Sequence, residues 1–291
     1  MAQLVANSLY IASIYTIIAL GFALIYQVSR FFHFAHGVVF TAGAYLTFLF
    51  KVWLGYPYFF SIVVSIGLSA ILGCFIEISI YRPLRHKGSS PLVLLLASLG
   101  IYIVLQNIIS MVFGDDIKTI RSGIVEEGIN ILGARITPIQ ITIIAVNLFL
   151  LVCCFFFLKY TKVGQAMRAV ANDPELARVS GIESDRVILS TFALGSALAG
   201  IAGILVALDV DMTPTMGMNA LLMGVVAVII GGVGSMPGVA LGALLLGMAQ
   251  HFGAWYVGSQ WQDAIAFVIL LIFLLFRPQG FLGKKVKTAT L

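Results

Sequence analysis

Residues 139–158 read IQITIIAVNLFLLVCCFFFL, a stretch of twenty residues without a charged side chain. At a rise of 1.5 Å per residue, an α-helix of this length is about 30 Å long and crosses the hydrocarbon core of a bilayer. The rest of the chain is similarly apolar: 60% of its 291 residues are hydrophobic and 10% are charged, and the mean hydropathy is +1.07. Soluble domains carry about 25% charged residues. The composition therefore predicts an all-α, polytopic membrane protein.

Further apolar runs, separated by charged or by Pro- and Gly-containing breaks, predict a helical bundle with eight or nine membrane spans. The predicted spans are 5–27, 32–50, 57–80, 91–113, 139–158, 188–208, 220–230, 239–257 and 261–276. The run at 220–230 covers only about 16 Å, half of the hydrocarbon core. It is either a broken or re-entrant helix, or a span that begins earlier, at Met216.

The short run ends in the glycine-rich sequence GGVGSMPG at 231–238. Non-helical backbone at membrane depth is tolerated only where it is buried in protein or lines a watery cavity. Gly231, Gly232, Gly234 and Ser235 are therefore candidates for a translocation pathway. The alternative is an ordinary tight cytoplasmic turn, in which Gly supplies positive φ and Pro ends a helix.

Two other groups of polar residues interrupt the apolar spans and are candidates for the same pathway. The first lies in the sequence RFFHFAHG at 30–37, and the second is the pair of amides in the span 91–113. The candidate residues are His33, Phe34, His36, Gly37, Gln106 and Asn107. The two histidines are three residues apart, which suggests a metal site or a proton relay. Without a carboxylate or Cys they form a poor metal site, so hydrogen bonds to backbone are favoured and no metal is expected.

The amides and the one acid near the end of a span have simpler interpretations. Gln106 and Asn107 either bond between helices or contact substrate, and bonding between helices is the commoner role. Glu77 precedes Arg82 and Arg85 by a few residues, which predicts an ion pair rather than a proton relay.

Lys and Arg are distributed unevenly between the two sets of loops. Thirteen of the seventeen fall in one set, and four, at 51, 118, 121 and 135, fall in the other. The positive-inside rule places the richer set in the cytoplasm, with the N-terminus outside and the C-terminus inside.

No basic stripe with interleaved aromatic residues occurs, so no nucleic-acid partner is expected. No Walker A sequence and no catalytic cluster occur either, so any use of ATP requires another chain.

The loop at 159–186 contains nine of the 29 charged residues and predicts two short helices. Asn172 or Asp173 followed by Pro174 is typical of a helix start, and Gly181 of a helix end. Small residues on these helices suit close docking with a soluble partner. The alternative is an amphipathic helix lying on the lipid surface.

The sequence GQAMRAVAND at 164–173, followed by Ala177 and Gly181-Ile182, resembles the coupling-helix region of LivH-type permeases. These are the membrane subunits of ABC importers for branched-chain and hydrophobic amino acids. Further matches are FAHG at 34–37, GAY at 43–45, YRPLR at 81–85, SLG at 98–100, LQN at 105–107, GGVGSMPG at 231–238 and RPQG at 277–280. The resemblance covers essentially the whole chain, which implies a single permease domain, 1–291.

The resemblance implies a subunit that works by alternating access and is not itself an enzyme. Its protein partners would be a second, LivM-like permease, two cytoplasmic ATPase subunits and an external, periplasmic substrate-binding protein. The chain would lie in the bacterial cytoplasmic (inner) membrane, where lipid would surround its spans. No cofactor would be bound by this chain, and ATP and Mg²⁺ would be used by the ATPases. The segment 159–186 would couple the ATPases to the spans through Gly164, Gln165, Arg168, Ala169, Asn172, Asp173, Ala177 and Gly181.

The chain departs from the family pattern at two places near the presumed pathway. The common motif Asn-Phe-Ala-His-Gly reads HFAHG here, with His33 in the first position, and Met223 and Val226 stand where relatives often carry Lys and Thr. Both departures bear on the identity of the substrate. The resemblance implies branched-chain or other hydrophobic amino acids, with urea or short amides as the alternative. A stand-alone secondary transporter or channel is the competing class, and it usually needs intramembrane acids, which are scarce here.

Overall fold

A computed structural model describes residues 1–121, 128–131 and 133–283. Within them the helices and strands are α1 (Ala2–Ser29), α2 (Ala35–Phe48), α3 (Tyr58–Ile76), α4 (Arg82–His86), α5 (Pro91–Phe113), β1 (Ile129–Ile131), β2 (Ala134–Ile136), α6 (Pro138–Tyr160), α7 (Lys162–Asn172), α8 (Pro174–Val179), α9 (Ser184–Asp209), α10 (Met216–Gly231), α11 (Met236–Val257) and α12 (Gln262–Phe276). A π-helical turn, Leu49–Trp53, extends α2, and another, Glu77–Tyr81, joins α3 to α4. A 3₁₀ turn, Ser259–Trp261, precedes α12.

The predicted all-α membrane architecture is confirmed. Eight helical stretches among the described residues are long and apolar enough to cross a membrane. The ninth apolar helix, α10, has 16 residues and begins at Met216, which is the longer of the two forms predicted for this segment. The antiparallel hairpin of β1 and β2, with Asn130 opposite Arg135, was not predicted, because two three-residue strands are too short to show a period of two.

Helix α1 lies at the centre of the bundle, against α6, α9, α10 and α11, and α2 packs against α3, α9 and α10. Glycines let these backbones approach closely. A Cβ placed on Gly43 of α2 would lie 2.6 Å from the Cα of Gly200 in α9, and one on Gly21 of α1 would lie 2.7 Å from the carbonyl oxygen of Gly195. Helices in lipid associate through such small-residue contacts because the membrane supplies no hydrophobic driving force between them.

The outer helices are α5, α6 and α12. In the most apolar 18-residue stretch of α1, 83% of the residues are buried, whereas the corresponding shares are 22% for α5, 11% for α6 and 6% for α12. The outer helices are therefore available to lipid or to another membrane subunit.

Helix α7 lies at one end of the bundle, and the hairpin of β1 and β2 lies at the other. At one end, the Arg30 side chain contacts the carbonyl of Ala171 in α7. At the opposite end the hairpin meets the start of α1, where the Arg135 backbone N–H donates to the Gln3 side chain at 2.8 Å. The described members of the larger Lys and Arg set belong to the α7 end, whereas Lys284, Lys285, Lys287 and the C-terminus lie outside the described residues.

Candidate functional site

Helices α7 and α8 form a compact pair, which we call the α7–α8 segment (residues 162–179). Thr161 caps α7 by accepting from the Gly164 N–H at 3.0 Å. Asp173 caps α8 by accepting from the N–H groups of Glu175 and Leu176, each at 3.0 Å. The two predicted helices are confirmed, and the cap is Asp173, because Asn172 is the last residue of α7. Gly181 follows α8 with φ of 83°, as expected at a helix end.

The apolar face of α7 is covered by its own bundle. Met167 and Val170 are 2% and 1% exposed, and α7 packs against α1, α6 and α9. A helix that lies on the lipid surface needs a free apolar face to insert. The predicted alternative of a lipid-surface helix is therefore not favoured by this packing.

The outward face of the α7–α8 segment is mainly polar but also exposes apolar side chains. Gln165, Arg168 and Asn172 are exposed, Leu176 is 64% exposed and Val179 is 87% exposed. Exposed apolar side chains rimmed by charge are typical of a protein contact. Sequence reasoning missed Leu176 and Val179, although their spacing of three residues on a short helix was a usable signal.

Several residues predicted to contact a partner are used within this chain instead. Ala177 is 4% exposed, and a Cβ on Gly164 would clash with the backbone of Phe157 and Leu158. Ala169 is half-buried against the bundle. The small size of Gly164 and Ala177 is thus explained by internal packing. The surface open to a partner is formed by the exposed polar residues together with Val163, Leu176 and Val179.

The predicted pathway residues around His33 lie in the core. His33 and His36 are fully buried. The Phe34 N–H donates to Ser98 Oγ at 3.1 Å, and a Cβ on Gly37 would lie 2.8 Å from the carbonyl oxygen of Gly217. These residues fix the short connection between α1 and α2 against α5 and α10.

The two histidine rings are neighbours, with centroids 6.0 Å apart. His33 Nδ1 lies 3.0 Å from the Tyr81 hydroxyl, so its partner is a side chain rather than the predicted backbone group. Burial, reinforced by the nearby His36, holds the pKa of His33 well below its ordinary value of 6.5, and the ring is neutral at pH 7. In the part of the chain that the structure describes, no three His, Cys, Asp or Glu side chains are grouped to hold a metal.

The glycine-rich sequence forms a tight turn between α10 and α11. Gly232 and Gly234 both have φ of 97°, and Ser235 caps α11 by accepting from the Gly238 N–H at 3.1 Å. The N–H groups of Phe281 and Leu282 donate to the last carbonyls of α10, at 2.9 and 3.0 Å. This geometry favours the tight-turn interpretation over a re-entrant helix, and residues 279–283 cover buried Gly231 and Gly232.

The two amides of α5 stand on its outer side. Gln106 is half-buried and Asn107 is exposed, and the Asn107 side chain donates to the Ile103 carbonyl of its own helix at 2.7 Å. Exposed neighbours on this face include Gly100 and Met111. An amide on an open apolar face is unfavourable in hydrocarbon, so this face suits a protein partner or water better than lipid.

The family model described as "Branched-chain amino acid transport system / permease component" matches residues 4–274. The chain belongs to this family. The family's permease protein BraD of Pseudomonas aeruginosa, of a high-affinity branched-chain amino acid transport system, is 34% identical over 97% of this chain and 95% of its own length. The permease protein LivH of Escherichia coli is 32% identical over the same shares. The predicted resemblance to LivH-type permeases is thus confirmed.

A more distant relative agrees with this assignment, and a solved structure shares the fold. The probable LivH of Methanocaldococcus jannaschii is 25% identical over 98% of this permease and 94% of its own length. A chain of PsaBC from Streptococcus pneumoniae in complex with Fab has a TM-score of 0.50 and covers 94% of this permease and 91% of that chain. At 13% identity the latter similarity concerns the fold alone.

Proposed function

We propose that this chain is the membrane permease subunit of an ABC importer that carries branched-chain or other hydrophobic amino acids across the bacterial cytoplasmic membrane. The observation that carries the proposal is the α7–α8 segment, a capped pair of helices with an open outer face on a chain of the branched-chain permease family. The names of the relatives supply the substrate class. Urea or short amides are the alternative substrates.

The α7–α8 segment is the proposed contact for a cytoplasmic ATPase. Gln165, Arg168 and Asn172 offer polar contacts, and Leu176 and Val179 offer an apolar one. Because Met167 and Val170 anchor the other side of α7 in the bundle, a push on the outer face would be passed to α1 and α9. Two such ATPases would bind ATP and Mg²⁺, and this chain would bind neither.

The pathway is proposed to lie between this chain and a second, LivM-like permease that meets the outer face of α5. The exposed amide of Asn107 supports this placement, since it stands on an otherwise apolar helix. His33 and His36 would then act from inside the bundle, by fixing α2, rather than by touching the solute. Affinity for the solute would reside in an external binding protein at the hairpin end.

The charge distribution supports the orientation. With thirteen Lys and Arg residues in one set of loops and four in the other, the α7 end would face the cytoplasm and Met1 the outside. The ATPase-binding end and the cytoplasmic end are then the same, as an importer driven by cytoplasmic ATP requires.

Uptake of radiolabelled leucine into proteoliposomes tests the proposal. The vesicles would contain either the complete complex of this chain, its second permease, its ATPases and its binding protein, or this chain alone. We expect ATP-dependent uptake only in the complete complex, with valine and isoleucine competing and urea and acetamide not competing. Uptake by this chain alone would overturn the ABC assignment in favour of a stand-alone transporter, and competition by urea would change the substrate class.

A further inference from the structure

A cluster of charged side chains joins α4 to the start of α9. The predicted ion pair of Glu77 is confirmed: its Oε1 lies 2.6 Å from Arg85 Nη2. The same nitrogen lies 3.2 Å from Asp185 Oδ1. Asp185 Oδ2 in turn accepts from Arg82 Nε at 3.2 Å and lies 2.9 Å from His86 Nε2. One carboxylate thus meets three basic side chains of α4.

Asp185 is placed where movement of the α7–α8 segment would reach the bundle. It is the second residue of α9, which follows α8 after a short connection. A cavity of about 1040 Å³ lies between α4 and α8, with Arg82, Pro174 and Arg178 in its lining. Helix α8 packs against α9, and Asp185 at the start of α9 extends this contact to α4 through its charge.

The other end of the cluster leads into the core through a π-helical turn. Glu77, which is 1% exposed, begins the turn Glu77–Tyr81, and fully buried Tyr81 ends it. The Tyr81 hydroxyl lies 3.0 Å from His33 Nδ1, and the Tyr81 ring packs 4.9 Å from that of Phe31, centroid to centroid. π-helical turns inside helices are frequent at functional sites. This turn holds the ion cluster at one end and the α1–α2 connection at the other.

We propose that Asp185 is a positioning residue that passes displacement of the α7–α8 segment, through Arg82, Arg85 and Glu77, to the π-helical turn and so to the α1–α2 connection. The inference rests on the proposed function, because it requires an ATPase that moves the segment. It differs from that proposal in assigning the link to one carboxylate and its three basic neighbours. Removing that carboxylate leaves Arg85 paired with Glu77 but abolishes the ion pairs between α4 and α9.

The test is the number of leucine molecules imported per ATP hydrolysed by the complete reconstituted complex. We expect Asp185→Asn to lower this ratio at least about fivefold, the lower range of coupling between sites, while basal ATP hydrolysis and the thermal midpoint stay near wild type. Asp185→Glu keeps the charge and is expected to keep most of the coupling. Arg186→Gln is the matched control, because Arg186 pairs only with its exposed near neighbour Glu183, at 2.6 Å, among the ion pairs of the described residues.

Two outcomes would overturn the inference. An unchanged ratio in Asp185→Asn would show that the cluster does not transmit movement. A parallel loss of ATP hydrolysis, uptake and thermal midpoint would show that Asp185 only stabilises the fold. If Asp185→Asn fails to assemble, Arg82→Gln removes the ion pair between the exposed Arg82 side chain and Asp185 and is expected to lower the ratio in the same direction. Failure of the wild-type complex to import leucine with ATP would instead overturn the proposed function.

Discussion

Helices α2 and α5 are both apolar and both contain glycine, yet they have opposite surroundings. Thirteen of the fourteen residues of α2 are buried, whereas four of the 23 residues of α5 are. Gly43 of α2 faces the backbone of α9, while no atom lies within 4 Å of a Cβ placed on Gly100 of α5. In a membrane protein, hydropathy therefore places a helix in the bilayer but does not tell whether it lies inside the bundle or on its surface.

The largest expected effect comes from placing the same side chain on the two glycines. Gly43→Leu is expected to destabilise the fold by about 3 kcal/mol or more, because overpacking at a backbone contact forces two helices apart. Gly100→Leu, which enters open space, is the matched control and should leave stability unchanged. The measurement is thermal unfolding in detergent together with the yield of monodisperse protein. Equal stability of the two variants would contradict the packing described for α2 and α9.

A smaller effect on stability, with a distinct effect on transport, is expected on the outer face of α5. Asn107→Leu removes an amide whose hydrogen bond is to its own helix, so the thermal midpoint should change little, as is usual for exposed positions. If this face lines a pathway with a second permease, leucine uptake by the complete complex should fall. Met111→Leu, at an 85% exposed position of the same helix, is the control. Uptake equal to that of wild type would place Asn107 outside the pathway.

Features that depend on residues close to one another in the chain could be predicted from the sequence. Span positions follow from local hydropathy, and the start of α8 follows from Asp173 and Pro174, since caps depend on neighbours a few residues away. The Glu77–Arg85 ion pair was predictable because the two residues are close in sequence. Asp185 was not predicted as a member of this cluster, because 100 residues separate it from Arg85.

The surface of the α7–α8 segment could not be assigned from sequence for a related reason. Which face of α8 points inward depends on its packing against α7 and α9, so the inward position of Ala177 and the outward position of Leu176 were not distinguishable. Likewise, the glycines at 231–238 suited both a tight turn and a re-entrant helix until the contact with Phe281 and Leu282 was known.

The α7–α8 segment is proposed to bind an ATPase through its outer face. This binding is tested most directly by the amount of ATPase that co-purifies with the chain after Leu176→Asp, which puts a charge on a 64% exposed leucine without entering the core. Ile117→Asp, at a 69% exposed position of the opposite end, is the control. We expect Leu176→Asp to lose most of the bound ATPase and Ile117→Asp to retain it, with both proteins folded. Full retention of the ATPase by Leu176→Asp would show that the outer face of the α7–α8 segment does not bind it.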